Sequence, residues 1–291
     1  MNWFFFAITS ATFSAAAALF QKRILNNIEA LDFSLILSFI NVILSIPFLI
    51  NVDYSTLSSQ NLLVLYFKSI LGCFAFLSVM LAIKNLEISK ALPLLALTPG
   101  LVAIFAFIFI HDSLSLIQVG AIIFLLIGTY ILEAKSGQKL FDPFKVFVKS
   151  KSHHYVIFAL LLFTATSIID RLLLNRYNLP PNAFIGFQHI FFAFNFFVIS
   201  LLFKKDIKKS LKINSGMIWL LIILVSILTV VYRYTEIIAV KIAPVAMVLS
   251  VKRISVFFAV LIGGKIFKEK NLLVKAFATA LIIVGVFLIT R

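Results

Sequence analysis

Residues 97–132 read LTPGLVAIFAFIFIHDSLSLIQVGAIIFLLIGTYIL, two apolar runs parted by a short polar turn around Asp112. Residues 251–289, VKRISVFFAVLIGGKIFKEKNLLVKAFATALIIVGVFLI, repeat the arrangement around Glu269. An apolar run of about 20 residues, wound as a helix, crosses the hydrocarbon of a bilayer. Working outward from these two stretches, runs of the same kind recur along the whole chain, at 3–21, 33–50, 62–83, 91–110, 116–133, 155–174, 184–203, 217–240, 243–262 and 272–290. Their spacing predicts an all-α fold, a polytopic membrane protein of ten transmembrane helices.

Composition agrees. Of the 291 residues 62% are apolar and 13% charged, and the mean hydropathy is +1.12, whereas soluble domains average about 45–50% apolar and 25% charged. An ordinary soluble enzyme is excluded. The connections between spans are too short for an extramembrane domain, so function belongs inside the bundle or at its mouths. The 26 Lys and Arg outnumber the 11 Asp and Glu, giving +15, but they cluster in alternate loops: Lys22 and Arg23, Lys84 and Lys90, then the lysine groups at 135–151, 204–212 and 265–275. Cytoplasmic loops retain Lys and Arg. The charge is therefore a topology signal and not a nucleic-acid footprint, and it predicts an inner-membrane, multi-pass protein with both termini facing away from the cytoplasm. Cys73 is the single cysteine, which leaves no intramolecular disulfide and no thiolate metal pair. No phosphate loop, metal-binding His/Glu helix or nucleophile elbow occurs. The sequence predicts no enzyme, no cofactor and no metal, with energy drawn from a gradient or from exchange.

The chain also repeats itself. A shift of 157 residues lays Ser69-Ile70-Leu71 on Ser226-Ile227-Leu228, Ala82 on Ala239, Lys84 on Lys241, Asp112 on Glu269, Leu116 on Leu273 and Gly128 on Gly285 without a gap. Each unit holds five spans, and an odd number turns the second copy upside down. The expected organisation is a first repeat at 1–134, a cytoplasmic linker at 135–154 and an inverted second repeat at 155–291. Inverted repeats place substrate sites near the midplane, where the halves meet.

The two quoted segments, each with a helix, an acidic residue at its far end, a polar turn and a last helix with an interior glycine (Gly128, Gly285), resemble the drug/metabolite transporter superfamily, in its ten-span EamA-like branch. The likeness runs over essentially the whole chain. It implies a secondary transporter working by alternating access, with the mid-helix Pro99 and the adjacent Gly100 as a hinge in span four. The matching position in the second half is Val256, a departure from the proline pattern. In span nine, VLSVKRISV is similar to the Lys-Arg motif of triose-phosphate and organophosphate translocators, and this likeness implies an anionic passenger.

Ionisable side chains inside spans cost about 2.5–3.5 kcal/mol each at a helix centre and are functional candidates by default. Most lie in the second half: Asp170 and Arg171 in span six, Gln188 and His189 in span seven, Tyr232, Arg233, Tyr234 and Glu236 in span eight, Lys252 and Arg253 in span nine. Arg233 and Glu236 share a helical face and can pair. Lys252 and Arg253 have no acidic neighbour within one turn, so they are expected to stand uncompensated and to hold the anionic group, with the Arg fork suited to carboxylate or phosphate. The expected substrate site is Lys252, Arg253, Arg233, Glu236, Tyr232, His189 and Gln188; Glu236, Asp170 or His189 would carry a coupling proton unless a counter-substrate drives exchange. Lys68 is expected to snorkel to the membrane surface, Glu87 and Lys90 to be solvated, and the 33 Phe to face lipid and pack helices. His153-His154, with no carboxylate nearby in sequence, is not expected to bind metal. The resulting expectation is a carrier of a small polar metabolite, anionic or zwitterionic, whose partners are that substrate and the membrane lipids. The competing expectation is an exporter of neutral or cationic drug-like compounds using Glu236 or Asp170 as the ligand.

Overall fold

The computed structural model describes residues 3–50, 52–98, 115–134, 142–206, 213, 215–243 and 245–289. Every regular element among them is helical: α1 (Trp3–Leu25), α2 (Ala30–Ile50), α3 (Ser59–Asn85), α4 (Ile88–Leu95), α5 (Leu116–Glu133), α6 (Asp142–Lys149), α7 (Lys151–Arg171), α8 (Pro181–Leu202), α9 (Gly216–Ile242), α10 (Val245–Ile266) and α11 (Leu272–Ile289). A five-residue π-helical turn, Leu172–Arg176, prolongs α7. Among the described residues six helices, α1, α2, α3, α7 with its π turn, α8 and α9, are long and apolar enough to cross a membrane. Pro99 and Gly100, the expected hinge, and Asp112 lie outside the described residues.

Most helices overrun the apolar stretches that announce them, because polar residues at the ends cap the helix instead of stopping it. Ser58 accepts a hydrogen bond from the Asn61 amide at the start of α3, and Ser215 accepts one from Ile218 at the start of α9; each satisfies an otherwise orphaned first-turn donor. Pro181 sits in the first turn of α8, where its missing N–H costs nothing. Helix α7 begins at Lys151, inside the stretch assigned above to the linker, and the short amphipathic α6 precedes it.

Helix pairing follows the internal repeat. Helix α1 packs along α9, and its repeat partner α7 packs along α3; α2 lies on both α8 and α9, while α8 lies on both α2 and α3. Helices α5 and α11 pack on each other, as do α4 and α10. The α5–α11 seam shows the symmetry at single residues. A Cβ on Gly128 would meet Ile282 Cγ1 at 2.7 Å and the Ala278 carbonyl at 2.9 Å; one on Gly285 would meet the Ala121 carbonyl and Leu125 Cδ2, each at 2.9 Å. Shifting Ala121, Leu125 and Gly128 by the repeat gives Ala278, Ile282 and Gly285, so each glycine admits the backbone of the other half's helix at the equivalent place. Close approach through small residues is how helices associate where no hydrophobic force separates side chain from lipid.

The outer faces are apolar. On α5 Leu116, Ile117, Ile123, Leu126 and Ile127 are exposed, and on α9 Met217, Leu220, Ile223, Leu224 and Ile227. The i, i+3, i+4 and i+7 spacing of the α9 set is one helical stripe, which in a spanning helix is the surface for acyl chains.

Candidate functional site

The polar side chains excluded from those outer faces converge on one cavity of about 200 Å³. Helices α2 and α3 from the first half and α7 to α10 from the second line it. On α9, Arg233 and Glu236 stand three residues apart and pair, Arg233 Nη1 to Glu236 Oε2 at 2.7 Å. The same Glu236 oxygen receives Lys252 Nζ from α10 at 2.8 Å. On its other side Arg233 Nη2 lies 3.6 Å from Asp170 Oδ2, on the last turn of α7, and Asp170 Oδ1 lies 2.7 Å from Lys68 Nζ on α3. Gln188 on α8 closes the loop: its Oε1 accepts from Lys68 Nζ at 2.8 Å and from Arg233 Nη2 at 3.1 Å. Five helices are thereby joined through one network of ion pairs and charge-assisted hydrogen bonds. Beside it, His189 Nδ1 and Ser45 Oγ are 2.6 Å apart, and Lys252 Nζ sits 5.0 Å from the centre of the Tyr232 ring.

The structure thus gathers Tyr232, Arg233, Glu236, Lys252, Arg253, Gln188 and His189, together with Asp170, around a single cavity. Two sequence expectations change. Lys252 is compensated by Glu236, a partner that arrives from α9 and so escapes any search confined to one helical turn. Lys68 does not snorkel: it is 2% exposed and holds Asp170 and Gln188 inside the bundle. Arg253 is different. It lines the cavity, no carboxylate among the described residues lies within ion-pair distance, and its Nε is buried without a hydrogen-bond partner. Arg171, by contrast, is exposed.

The first half supplies more than expected. Ser34, Ser38 and Asn41 of α2 line the cavity, as do Phe76 of α3, Phe163 of α7 and Phe192 and Phe196 of α8. The α2 set was detectable in sequence, because Ser34, Ser38, Asn41 and Ser45 recur at four, three and four residues, a polar stripe along one face of an otherwise apolar span. The phenylalanines carry no such signal among so many others.

A second charged cluster brings together the start of α4 with the preceding Glu87, the end of α5, the start of α7, the α10–α11 turn and the start of α11, among the basic loops. Glu269 accepts from the Ile88 amide at 2.8 Å, the Ser89 amide at 3.2 Å and the Ser89 hydroxyl, capping the first turn of α4. Lys275 reaches Glu87 at 2.6 Å and Glu269 at 3.7 Å. Nearby, Glu133 lies 3.1 Å from Lys90 and 3.5 Å from His153 Nε2. Lys90 is therefore not simply solvated, and His153 does have a carboxylate beside it, contributed by α5. No group of three metal-ligating side chains occurs among the described residues.

Comparison with known proteins gives three results. Curated protein sequences show no match. A solved structure described only as "Crystal structure of protein" superposes with a TM-score of 0.64 over 98% of this chain and 94% of its own, at 17% identity, which establishes a shared fold. The model of the EamA-like transporter family matches residues 1–133 and again 151–291. Two family repeats covering nearly the entire chain, in an all-helical bundle with several spanning helices and charges turned inward, identify this protein as a membrane transporter belonging to the EamA-like transporter family.

Proposed function

We propose that the protein carries a small anionic or zwitterionic metabolite by alternating access, with the shared cavity as its binding site and Arg253 as the anchor for the anionic group. The observation that carries this reading is charge balance: among the described residues, Lys68, Arg233, Lys252 and Arg253 line the cavity with only Asp170 and Glu236 against them. Both carboxylates are already engaged by two cations each. The surplus positive charge is concentrated where Arg253 has no partner, and an unpaired cation at membrane depth is costly until an anion meets it. A guanidinium offers a planar donor fork that fits a carboxylate or phosphate.

Size supports the same reading. Drug-sized ligands occupy pockets of about 300–1,000 Å³, larger than the 200 Å³ found here. A cationic exporter would also need a carboxylate free to bind its cargo, and the two present are spoken for. Because α2 and α3 face α7 to α10 across the cavity, a ligand touching both sets would bind differently when the halves rock, and only a difference in affinity between states can couple solute to motion. Asp170, Glu236 and His189 belong to this reading as the groups through which a proton would be coupled.

The test is uptake into proteoliposomes of radiolabelled anionic, zwitterionic and cationic probes, comparing the parent with Arg253→Gln. Accumulation of anions or zwitterions by the parent, reduced by about a hundredfold in the variant, is the expected outcome, the equivalent of losing one charge-assisted hydrogen-bonded contact of about 2–3 kcal/mol. Selective accumulation of cations would refute the reading.

A further inference from the structure

The polar stripe on α2 is not uniform. Ser34 donates to the Ala30 carbonyl at 2.7 Å, Ser38 to the Leu35 carbonyl at 2.7 Å, and Ser45 pairs with His189 at 2.6 Å. Asn41, between them, is 5% exposed and lines the cavity, yet its Oδ1 is buried with no hydrogen-bond partner. A buried carbonyl oxygen left unmatched costs about 1–3 kcal/mol, and inside a membrane bundle, where water is scarce, neighbouring helices ordinarily supply a partner. Here three of the four stripe residues are matched and the one near the middle of the helix is not. Three other side-chain atoms of lining residues also lack a hydrogen bond: Asp170 Oδ1 on α7, which lies 2.7 Å from Lys68 Nζ as an ion pair, Thr229 Oγ1 on α9 and Arg253 Nε on α10. Of these only Arg253 Nε is a pure donor. An unmatched acceptor from the first half and an unmatched donor from the second therefore belong to residues that line one cavity.

We infer that Asn41 is a substrate-reading residue: its side-chain oxygen accepts a hydrogen bond from a hydroxyl or ammonium group on the same molecule whose anionic group Arg253 holds. The inference rests on the cavity being the binding site, and it narrows the passenger from any small anion to one carrying a hydrogen-bond donor besides its carboxylate or phosphate. It also gives the first repeat a direct grip on the ligand, so that binding spans both halves. A site built to hydrogen-bond a substrate group discriminates strongly against the analogue lacking it, because the site's own polar atom then stays unpaired.

The test uses matched probes that differ only in the donor: propionate against lactate and alanine, and succinate against malate and aspartate. Uptake of each is measured with the full-length protein in proteoliposomes, for the parent and for Asn41→Leu, Asn41→Asp and Arg253→Gln. The parent is expected to favour a donor-bearing member over its plain partner by about tenfold, the worth of one hydrogen bond in a desolvated site. Asn41→Leu should bring that preference to within about twofold, whereas Asn41→Asp, which keeps an acceptor but adds a charge that offsets Arg253, should keep the preference while lowering uptake of both members of a pair. Arg253→Gln should depress both members of a pair alike. Thermal unfolding in detergent guards against misfolding: Asn41→Leu removes an unmatched polar group without loss of volume and should unfold no earlier than the parent. A donor preference unchanged in Asn41→Leu overturns the role of Asn41 while the anion reading survives. Equal uptake by parent and Arg253→Gln, or no uptake of any of these anions and zwitterions by the parent, overturns both.

Discussion

The cavity network and the cluster at the basic end draw on the same kinds of side chain and come out differently. At the basic end, Glu269 is shared among two backbone amides, a hydroxyl and Lys275, and Glu133 sits between Lys90 and His153. Carboxylates there meet cations and helix-end donors, as at a helix start that needs an anion. Around the cavity both carboxylates are likewise paired, but cations exceed them. Atoms without a hydrogen bond occur at both places, Glu133 Oε1 and His153 Nε2 at the basic end and Asn41 Oδ1, Asp170 Oδ1, Thr229 Oγ1 and Arg253 Nε at the cavity. What sets the cavity apart is a cation, Arg253, with no carboxylate within ion-pair distance among the described residues. Matched charge fastens elements to each other; unmatched charge waits for something that is not part of the chain. The Glu269 cap and the Lys275–Glu87 pair join the start of α4 in the first half to the α10–α11 turn and α11 of the second, whereas the cavity is the place proposed above for the solute.

Substitutions that remove a matched carboxylate should test this contrast most severely. Glu236 neutralises Arg233 and Lys252 together from one oxygen, so Glu236→Gln strands the partly buried Lys252 and leaves Arg233 with only Asp170 and Gln188. Breaking a buried pair by deleting one partner costs about 3–5 kcal/mol, and the variant should unfold well before the parent in detergent and lose transport along with stability. At the other cluster, Glu269→Gln leaves the Ile88 and Ser89 amides with a weaker acceptor and should cost about 1–2 kcal/mol, the worth of a helix cap. Its transport signature should differ as well. Loosening that end favours the state open there, so exchange rates should change with no change in which solutes are accepted. If Glu269→Gln instead altered solute preference, the division between fastening cluster and receiving cluster would fail.

What the sequence revealed follows the same division. Helix positions and the repeat were legible because apolar length and a collinear 157-residue shift are properties of the chain alone, and the reciprocal packing of Gly128 and Gly285 shows that shift in three dimensions. The identities of the inward ionisable groups were legible too, since a charge within an apolar run is conspicuous. Their partners were not. Lys252 lay beyond reach of any acidic residue on its own helix, and Glu236 comes to it across a helix interface; Lys68 could be taken for a snorkelling lysine until Asp170 and Gln188 are seen around its ammonium. Pairing between helices depends on rotation about each helix axis, which periodicity in a uniformly apolar span hardly constrains. Asn41 was overlooked for the opposite reason: it carries no charge, and only the stripe it forms with three serines marks its face.

Smaller effects sharpen the comparison further. Lys275–Glu87 is a matched pair at the edge of the fastening cluster, and the Glu87 side chain is 43% exposed, so solvent already screens it; Glu87→Gln should cost about 0.2–1 kcal/mol, and the difference should shrink in high salt. Least of all in stability, yet not in function, should be Arg253→Gln. The guanidinium has no carboxylate to abandon, and replacing it strands no buried anion, so the unfolding temperature should stay at or above that of the parent while anion uptake falls away. Glu236→Gln and Arg253→Gln then form a pair, one losing the fold and the transport together and the other losing transport alone. Were Arg253→Gln to destabilise the protein as much as Glu236→Gln does, the guanidinium would have to be counted among the fasteners, and the cavity would hold no cation reserved for a passenger.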